Sequence, residues 1–253
     1  LQISQEEAMA KPEIIGSGRS TYTRVVCMVC EEKGIDYTLT EATLGSPELR
    51  AIHPLGKMPV LRHGDLTLFE SKAIATYLDG SFAGPVVFPS DSYSAALVEQ
   101  WVSLVNTVMD RTLIRTYLYA YIAAKARDEN PDRATIEAVM PALCEQLAIL
   151  DRAVEPTGYL VGNHFTFADI NLMPILERVR LAPEGAEALS EARHLAAYYD
   201  NHAMRPSFAA TAPPPGPPRL TGGEKWFERA CPGQTHGRPS VQRPAPAGQP
   251  PGQ

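Results

Sequence analysis

Apolar positions change their period along the chain. Residues 13–16 (EIIG) form a short apolar run, followed by the Gly/Ser turn SGRST. From residue 21 to 33, Val25, Met28 and Val29 recur at i, i+3 and i+4, the stripe of a helix. Gly34 closes that helix, and residues 35–39, with Tyr37 and Thr38, read as a second strand. Strand, crossover helix and strand in so short a span predict a parallel βαβ unit. A short helical piece at residues 46–51 follows. Two brief strands, 59–62 and 66–69, are joined by the turn His63-Gly64-Asp65 and predict a hairpin, and Ala73, Ile74, Tyr77 and Leu78 predict a helix over residues 70–78.

Residues 80–91 are rich in Gly, Pro and Ser and predict a linker, beyond which nearly everything carries a helical period. Helices are predicted over 92–127, as one long helix or a broken pair, then over 131–154, 166–180 and 184–202. The fold expected is α/β plus all-α: a thioredoxin-like N-terminal domain at 12–79, the linker, and an all-helical domain at 92–210. The segment after that is different in kind. The last 41 residues hold 11 of the 23 prolines and 7 of the 18 glycines, so residues 211–253 are expected to be a disordered tail with one weak amphipathic spot at Trp226 and Phe227.

Composition adds exclusions. The 44% hydrophobic content is that of a globular chain, and 23 basic against 29 acidic residues give a formal charge of −6 with no basic stripe, which disfavours nucleic acid and anionic membranes as partners. No apolar run approaches the roughly 20 residues of a membrane span. Cys27, Cys30, Cys144 and Cys231 do not make a disulfide framework, so a reducing, cytoplasmic compartment is expected. Residues 1–11 lack the basic and apolar regions of a secretory signal and are expected to be a loose leader, with Met9 a candidate start.

Three segments, GSGRSTYTRVVCMVCEEKGIDYTL, AIHPLGKMPVLRHGDLTLFESKAIATYL and the helix opening FTFADINL, together with their spacing, resemble the cytosolic glutathione transferases, closest to theta, phi and zeta-like members. The resemblance runs from about residue 12 to residue 208. It implies a homodimeric enzyme that binds glutathione, holds its thiol as thiolate and transfers it to a small, largely apolar electrophile, with no cofactor beyond that co-substrate; with no H-E-x-x-H, paired C-x-x-C or other metal spacing in the sequence, no metal is expected.

Glutathione carries two carboxylates, an α-ammonium and a thiol, so its pocket needs anion holders at both ends and backbone pairing between them. Glu70 and Ser71 stand where a strand ends and a helix begins. Free N–H groups and a serine hydroxyl there suit the γ-glutamyl carboxylate, the role that the resemblance assigns them. The resemblance also makes Pro59 a cis proline, with the Met58 backbone pairing the cysteinyl part as an added strand and Lys57 reaching a carboxylate or carbonyl. His53 is read equally as a local cap or a ligand contact.

A free thiol has a pKa of roughly 8.5, and lowering it by about 2 units needs about 2.7 kcal/mol of differential stabilisation. A hydroxyl donating to S⁻ at a helix N-terminus supplies much of that. Ser20 is the choice for that hydroxyl, from its spacing to Arg24-Val25 in theta-like relatives. Thr21 is the alternate and Tyr22 a weaker one. Other branches place the hydroxyl one residue earlier, where this sequence has Arg19, and Ser20 also reads as a plain helix cap.

The second-substrate pocket is expected between this turn and the long helix, with Asn106, Met109, Arg111, Ile114, Arg115 and residues 117–121 as candidates. Arg111 and Arg115, at i and i+4, read as a site for an acidic group or as solvated residues. Cys27 and Cys30 lie inside a helix and read as core rather than redox centre. Thr166-Phe167-Ala168-Asp169 reads as a capping box, with Phe165 and Ile170 as its staple. Two other functions remain open: a glutathione-dependent isomerase, lyase or dehalogenase using the same thiolate, and a non-catalytic module that binds a protein through the Pro-rich tail.

Overall fold

The computed structural model describes residues 10–213. The expectations for residues 1–9 and for the tail beyond 213 lie outside that range. β1 (Glu13–Gly16) pairs in parallel with β2 (Thr38–Glu41), in the register Glu13↔Thr38, and antiparallel with β3 (Val60–His63), which pairs in turn with β4 (Leu66–Phe69). The sheet order is β2-β1-β3-β4. α1 (Thr21–Lys33) is the crossover between β1 and β2; α2 (Pro47–Ile52) precedes β3, and α3 (Ser71–Ser81) follows β4.

α1 forms where its signals place it. Ser20 accepts the Thr23 N–H, and Gly34 adopts φ 69°, a left-handed conformation that costs glycine little. The second strand begins three residues later than residue 35. Ile35 donates its N–H to the Cys30 carbonyl at 2.9 Å, completing the helix C-cap, so it is not available to the sheet. Val25, Val26, Met28, Val29 and Cys30 are all fully buried, because α1 packs against β1, against α3 and against two helices of the second unit.

The connection between the units is tied down. The Asp79 carboxylate accepts from Lys33 Nζ at 3.0 Å, Val87 N at 3.0 Å and Phe88 N at 3.3 Å. A Cβ on Gly84 would stand 2.3 Å from the Lys33 carbonyl oxygen, so only glycine lets the connection pass the end of α1. α4 (Ser92–Leu104), capped by Asp91, then runs without interruption into a wide-turned π-helical stretch, Val105–Leu118, and on into α5 (Tyr119–Ala126). α6 (Arg133–Val154), α7 (Phe167–Val179), α8 (Pro183–Glu191), α9 (Arg193–Ala203) and α10 (Pro206–Ala210) complete the described chain.

α7 is the central helix, buried from Phe167 through Leu176. Its N-terminus is fixed by the Asp169 carboxylate, which accepts from Thr166 N at 2.9 Å, the Thr166 hydroxyl at 3.0 Å, Leu160 N at 2.9 Å and the Tyr198 hydroxyl at 3.0 Å. Four donors to one buried carboxylate join α7, the loop before it and α9.

Candidate functional site

A cleft of about 1630 Å³ opens between the two units. Its floor is the turn between β1 and α1. There Ser20 N donates to the Ser17 carbonyl at 2.8 Å, and Gly18 N donates to Glu41 Oε1 at 3.1 Å, so β2 holds the turn from the side. Ser20 Oγ accepts from Thr23 N at 3.3 Å. That bond uses a lone pair of the oxygen and leaves its proton free to donate into the cleft. Capping and thiolate stabilisation are therefore compatible roles for the same hydroxyl. Thr21 and Tyr22 also line the cleft. Burial, and then the Asp110 carboxylate beside it, push the Tyr22 phenol upward, so it stays protonated and turned toward Asp110.

Lys57, Met58, Pro59, Glu70 and Ser71 of the same unit also line the cleft. The Met58–Pro59 peptide bond is cis. Ser71 is buried as the first residue of α3, and Glu70 before it adopts φ 72° and ψ 114°. A non-glycine residue with that backbone costs about 1–3 kcal/mol, a strain that collects at ligand sites; nothing in the sequence pattern signals it. His53 also borders the cleft, but its Nδ1 accepts the Leu55 N–H at 3.0 Å and its ring lies 4.8 Å from that of Phe69, so it shapes the loop before Lys57.

The helical unit closes the cleft with a set of residues partly different from the expected one. Asn106, Ile114, Arg115 and Tyr119 line it. Met109 does not: it is 0% exposed and belongs to the core. Arg111 is exposed and lies outside the cleft lining, while Tyr117 and Tyr121 are buried with Glu184. The cause is the wide turn. Buried pairs recur every four residues, at Met109-Asp110, Leu113-Ile114 and Tyr117-Leu118, so the 3.6-residue period puts the wrong side chains on one face. Arg115 Nε bonds Asp110 Oδ2 at 2.9 Å, a partner five residues away instead of four, and Arg115 Nη1 bonds the Tyr119 hydroxyl at 3.1 Å.

Leu118, within the expected stretch 117–121, lines the cleft as well, whereas sequence reasoning missed Asp110, Ile122, Lys125 and Arg178, all of which line it. Asp110 is 7% exposed, a burial that its sequence neighbours Met109 and Arg111 do not signal. Cys27 and Cys30 lie away from the cleft, and burial pushes the Cys27 thiol up to about 11 and that of Cys30 further. Among the described residues no His, Cys, Asp and Glu groups converge as a metal site, and no helix is long and apolar enough to cross a membrane.

A hydroxyl at a helix N-terminus, a cis proline and a strained Glu-Ser corner thus line one cleft, with residues of the helical unit along it. Residues 15–86 match the model of the glutathione S-transferase N-terminal domain, and residues 113–206 that of the glutathione S-transferase C-terminal domain. Glutathione S-transferase 3 of Zea mays is 30% identical over 222 residues, covering 83% of this chain and 98% of the relative. Among solved structures, glutathione transferase F7 of Populus trichocarpa superposes with a TM-score of 0.73 at 27% identity, covering 79% of this chain and 97% of that one. The theta class glutathione S-transferase of Xanthomonas axonopodis pv. citri, solved with glutathione bound, gives 0.68 at 27%, covering 81% and 98%. The chain belongs to the glutathione S-transferase family.

Proposed function

We propose that this chain binds glutathione along the sheet side of the cleft and conjugates its sulfur to a small, largely apolar electrophile. The N-terminus of α3, with Ser71 and Glu70, receives the γ-glutamyl end; the Met58 backbone pairs with the cysteinyl part; Lys57 meets the remaining carboxylate or a carbonyl. The glutathione thiol gives its proton to solvent, and the Ser20 hydroxyl, keeping its own proton, hydrogen-bonds to the resulting thiolate; the sulfur attacks the electrophilic carbon to form a C–S bond as the leaving group departs with its electron pair or the electrophile's π electrons take up a proton from solvent. Thr21 is the alternate donor. The single observation that carries the reading is that Ser20, Met58 and Ser71 open onto one cleft whose far wall is contributed by the helical unit.

Ile114, Leu118 and Ile122 give that wall an apolar face, with Asn106 and Arg115 as its polar points. Since Asp110 already neutralises Arg115, an apolar electrophile fits better than the dicarboxylic acid that a glutathione-dependent isomerase would take. The same reading makes residues 12–79 the glutathione-binding domain and 92–210 the domain for the second substrate. A cytoplasmic location and homodimerisation, with no cofactor beyond glutathione, rest on the family relationship.

The test is the ultraviolet absorbance of the bound thiolate against pH, read beside assays with a chloronitrobenzene and an unsaturated dicarboxylic acid. A bound thiol titrating well below 8.5 with conjugation of the first substrate is expected. No thiolate signal would leave the protein-binding module, and isomerisation without conjugation would favour the isomerase.

A further inference from the structure

Two neighbouring residues of α7 reach across the interface between the units to the element that carries Ser20. Glu177 makes an ion pair with Arg24 of α1, whose guanidinium is almost wholly buried and is also held by the Phe208 carbonyl at 2.8 Å and the Thr211 hydroxyl at 3.3 Å. Arg178 donates from Nη2 to the backbone carbonyl of Arg19. The first contact fixes the helix; the second fixes the peptide group immediately before Ser20.

That peptide group has two ends. Its N–H, on Ser20, donates to the Ser17 carbonyl at 2.8 Å, and its C=O, on Arg19, accepts from Arg178. With both ends held, the plane of the peptide cannot rotate, and the Cα–Cβ direction of Ser20 follows from it. A hydrogen bond to a thiolate weakens steeply when the donor is turned away, so a hydroxyl on a turn needs this kind of support if its proton is to stay aimed at one point in the cleft. Arg178 itself lines the cleft, and burial lowers its pKa although Glu177 beside it opposes that, as expected of a guanidinium drawn into an interface for a specific bond.

We propose that Arg178 is the positioning residue for the Ser20 hydroxyl: the helical unit, otherwise the wall for the second substrate, also sets the thiolate-stabilising geometry of the glutathione unit through the Arg19 carbonyl. The proposal rests on the reading of Ser20 given above. It differs from a direct electrostatic role, in which the Arg178 charge would act on the sulfur whether or not Ser20 were present.

A double-mutant cycle on the full chain separates these ideas, with the pH titration of the bound glutathione thiolate as the readout and KM for glutathione and the thermal midpoint measured alongside. R178M is expected to raise the bound thiol's pKa by up to about one unit, an approximately tenfold loss of thiolate at a pH well below it, with KM for glutathione nearly unchanged. R178K, which keeps a donor for the Arg19 carbonyl, is expected to restore most of that loss, and R178Q, uncharged and too short to keep the contact, takes the place of R178M if that variant does not fold. In the S20A background R178M is expected to add nothing. A thiolate titration unmoved by R178M, a loss that R178K does not restore, or a shift as large in S20A as in the parent overturns the positioning role. If S20A alone leaves the titration where it was, the reading of Ser20 fails first, and the proposal with it.

Discussion

Ser20 Oγ accepts the Thr23 backbone N–H at 3.3 Å, so the hydroxyl that faces the cleft is also the one that starts α1. Accepting from a backbone N–H withdraws density from the oxygen and makes its own proton a better donor, by the mutual polarisation of bonded chains. Ser20→Ala removes both effects. Expected is a loss of conjugation rate of about ten- to a hundredfold, the worth of a hydrogen bond to a charged group, and of about 1 kcal/mol of stability for the lost cap. Ser20→Thr keeps a capping hydroxyl and should recover most of the stability. Steady-state rates with urea unfolding of both variants check this. An alanine variant that loses stability but no rate would assign Ser20 to the cap alone and move the donor to Thr21.

α1 was legible in the sequence because three independent signals agree: the cap at Ser20, the apolar spacing of Val25, Met28 and Val29, and Gly34 at the end. The second strand was legible only approximately. Ile35 is β-branched and buried, which suggests a strand, but its N–H is committed to the end of α1 and its burial comes from the core beside that helix. The glutathione side of the candidate site sits on short motifs whose backbone geometry is local, so residues adjacent in sequence meet in space. The far wall depends on which side of a helix each residue faces. Over the wide-turned stretch Val105–Leu118, Asp110 lines the cleft beside Asn106 and Ile114 while Arg111 lies outside the lining, and the sequence pattern does not fix where that face ends.

Glu184 supplies a prediction about stability and pH. Its carboxylate accepts from the Tyr121 hydroxyl at 2.5 Å, Arg133 Nη1 at 2.7 Å and the Tyr117 hydroxyl at 3.3 Å, joining the long helix, α6 and α8. Burial alone would raise its pKa, but the bonds from Tyr121 and Arg133 outweigh burial and hold it below the ordinary glutamate value. A depressed carboxylate contributes stability that is complete above the unfolded value of about 4.3 and is lost as pH falls through the folded one. Glu184→Ala strands two buried phenols and should cost about 3 kcal/mol at neutral pH, with a smaller difference from the parent near pH 3. Urea unfolding at both pH values checks this; a penalty as large at pH 3 would mean that the carboxylate charge is not what holds the cluster.

Cys27 and Cys30 should be chemically silent in the folded protein. With its thiol pushed up to about 11, Cys27 is only about one part in ten thousand thiolate at pH 7, and both sulfurs are buried in α1. Iodoacetamide should leave the peptide carrying both residues unmodified in the native state and label it fully in urea. Rapid native labelling at Cys27, or a disulfide between the pair in a mild oxidising buffer, would restore the redox reading of the C-x-x-C spacing.

Arg115 and Arg111 provide the sharpest test of the helix that forms the far wall. Both are cationic, they are four residues apart, and on a 3.6-residue helix they would share a face. In the wide-turned stretch Arg115 enters the cleft, bonded to Asp110 and Tyr119, whereas Arg111 stays outside the lining. Of the five N–H donors of a guanidinium, those two bonds engage two, so Arg115 retains capacity to meet a polar substituent of the electrophile. Arg115→Ala is expected to raise KM for the electrophile by roughly three- to tenfold, the worth of one modest hydrogen bond, and to leave KM for glutathione unchanged, because the glutathione side is built from β1–α1 and the Glu70–Ser71 corner. Arg111→Ala should change neither constant. Initial rates over a matrix of both substrate concentrations, for the two variants and the parent, read all of these values together. A larger effect from Arg111 than from Arg115 would mean that the stretch turns as an ordinary α-helix in solution and that the pocket wall carries the face read from a 3.6-residue period.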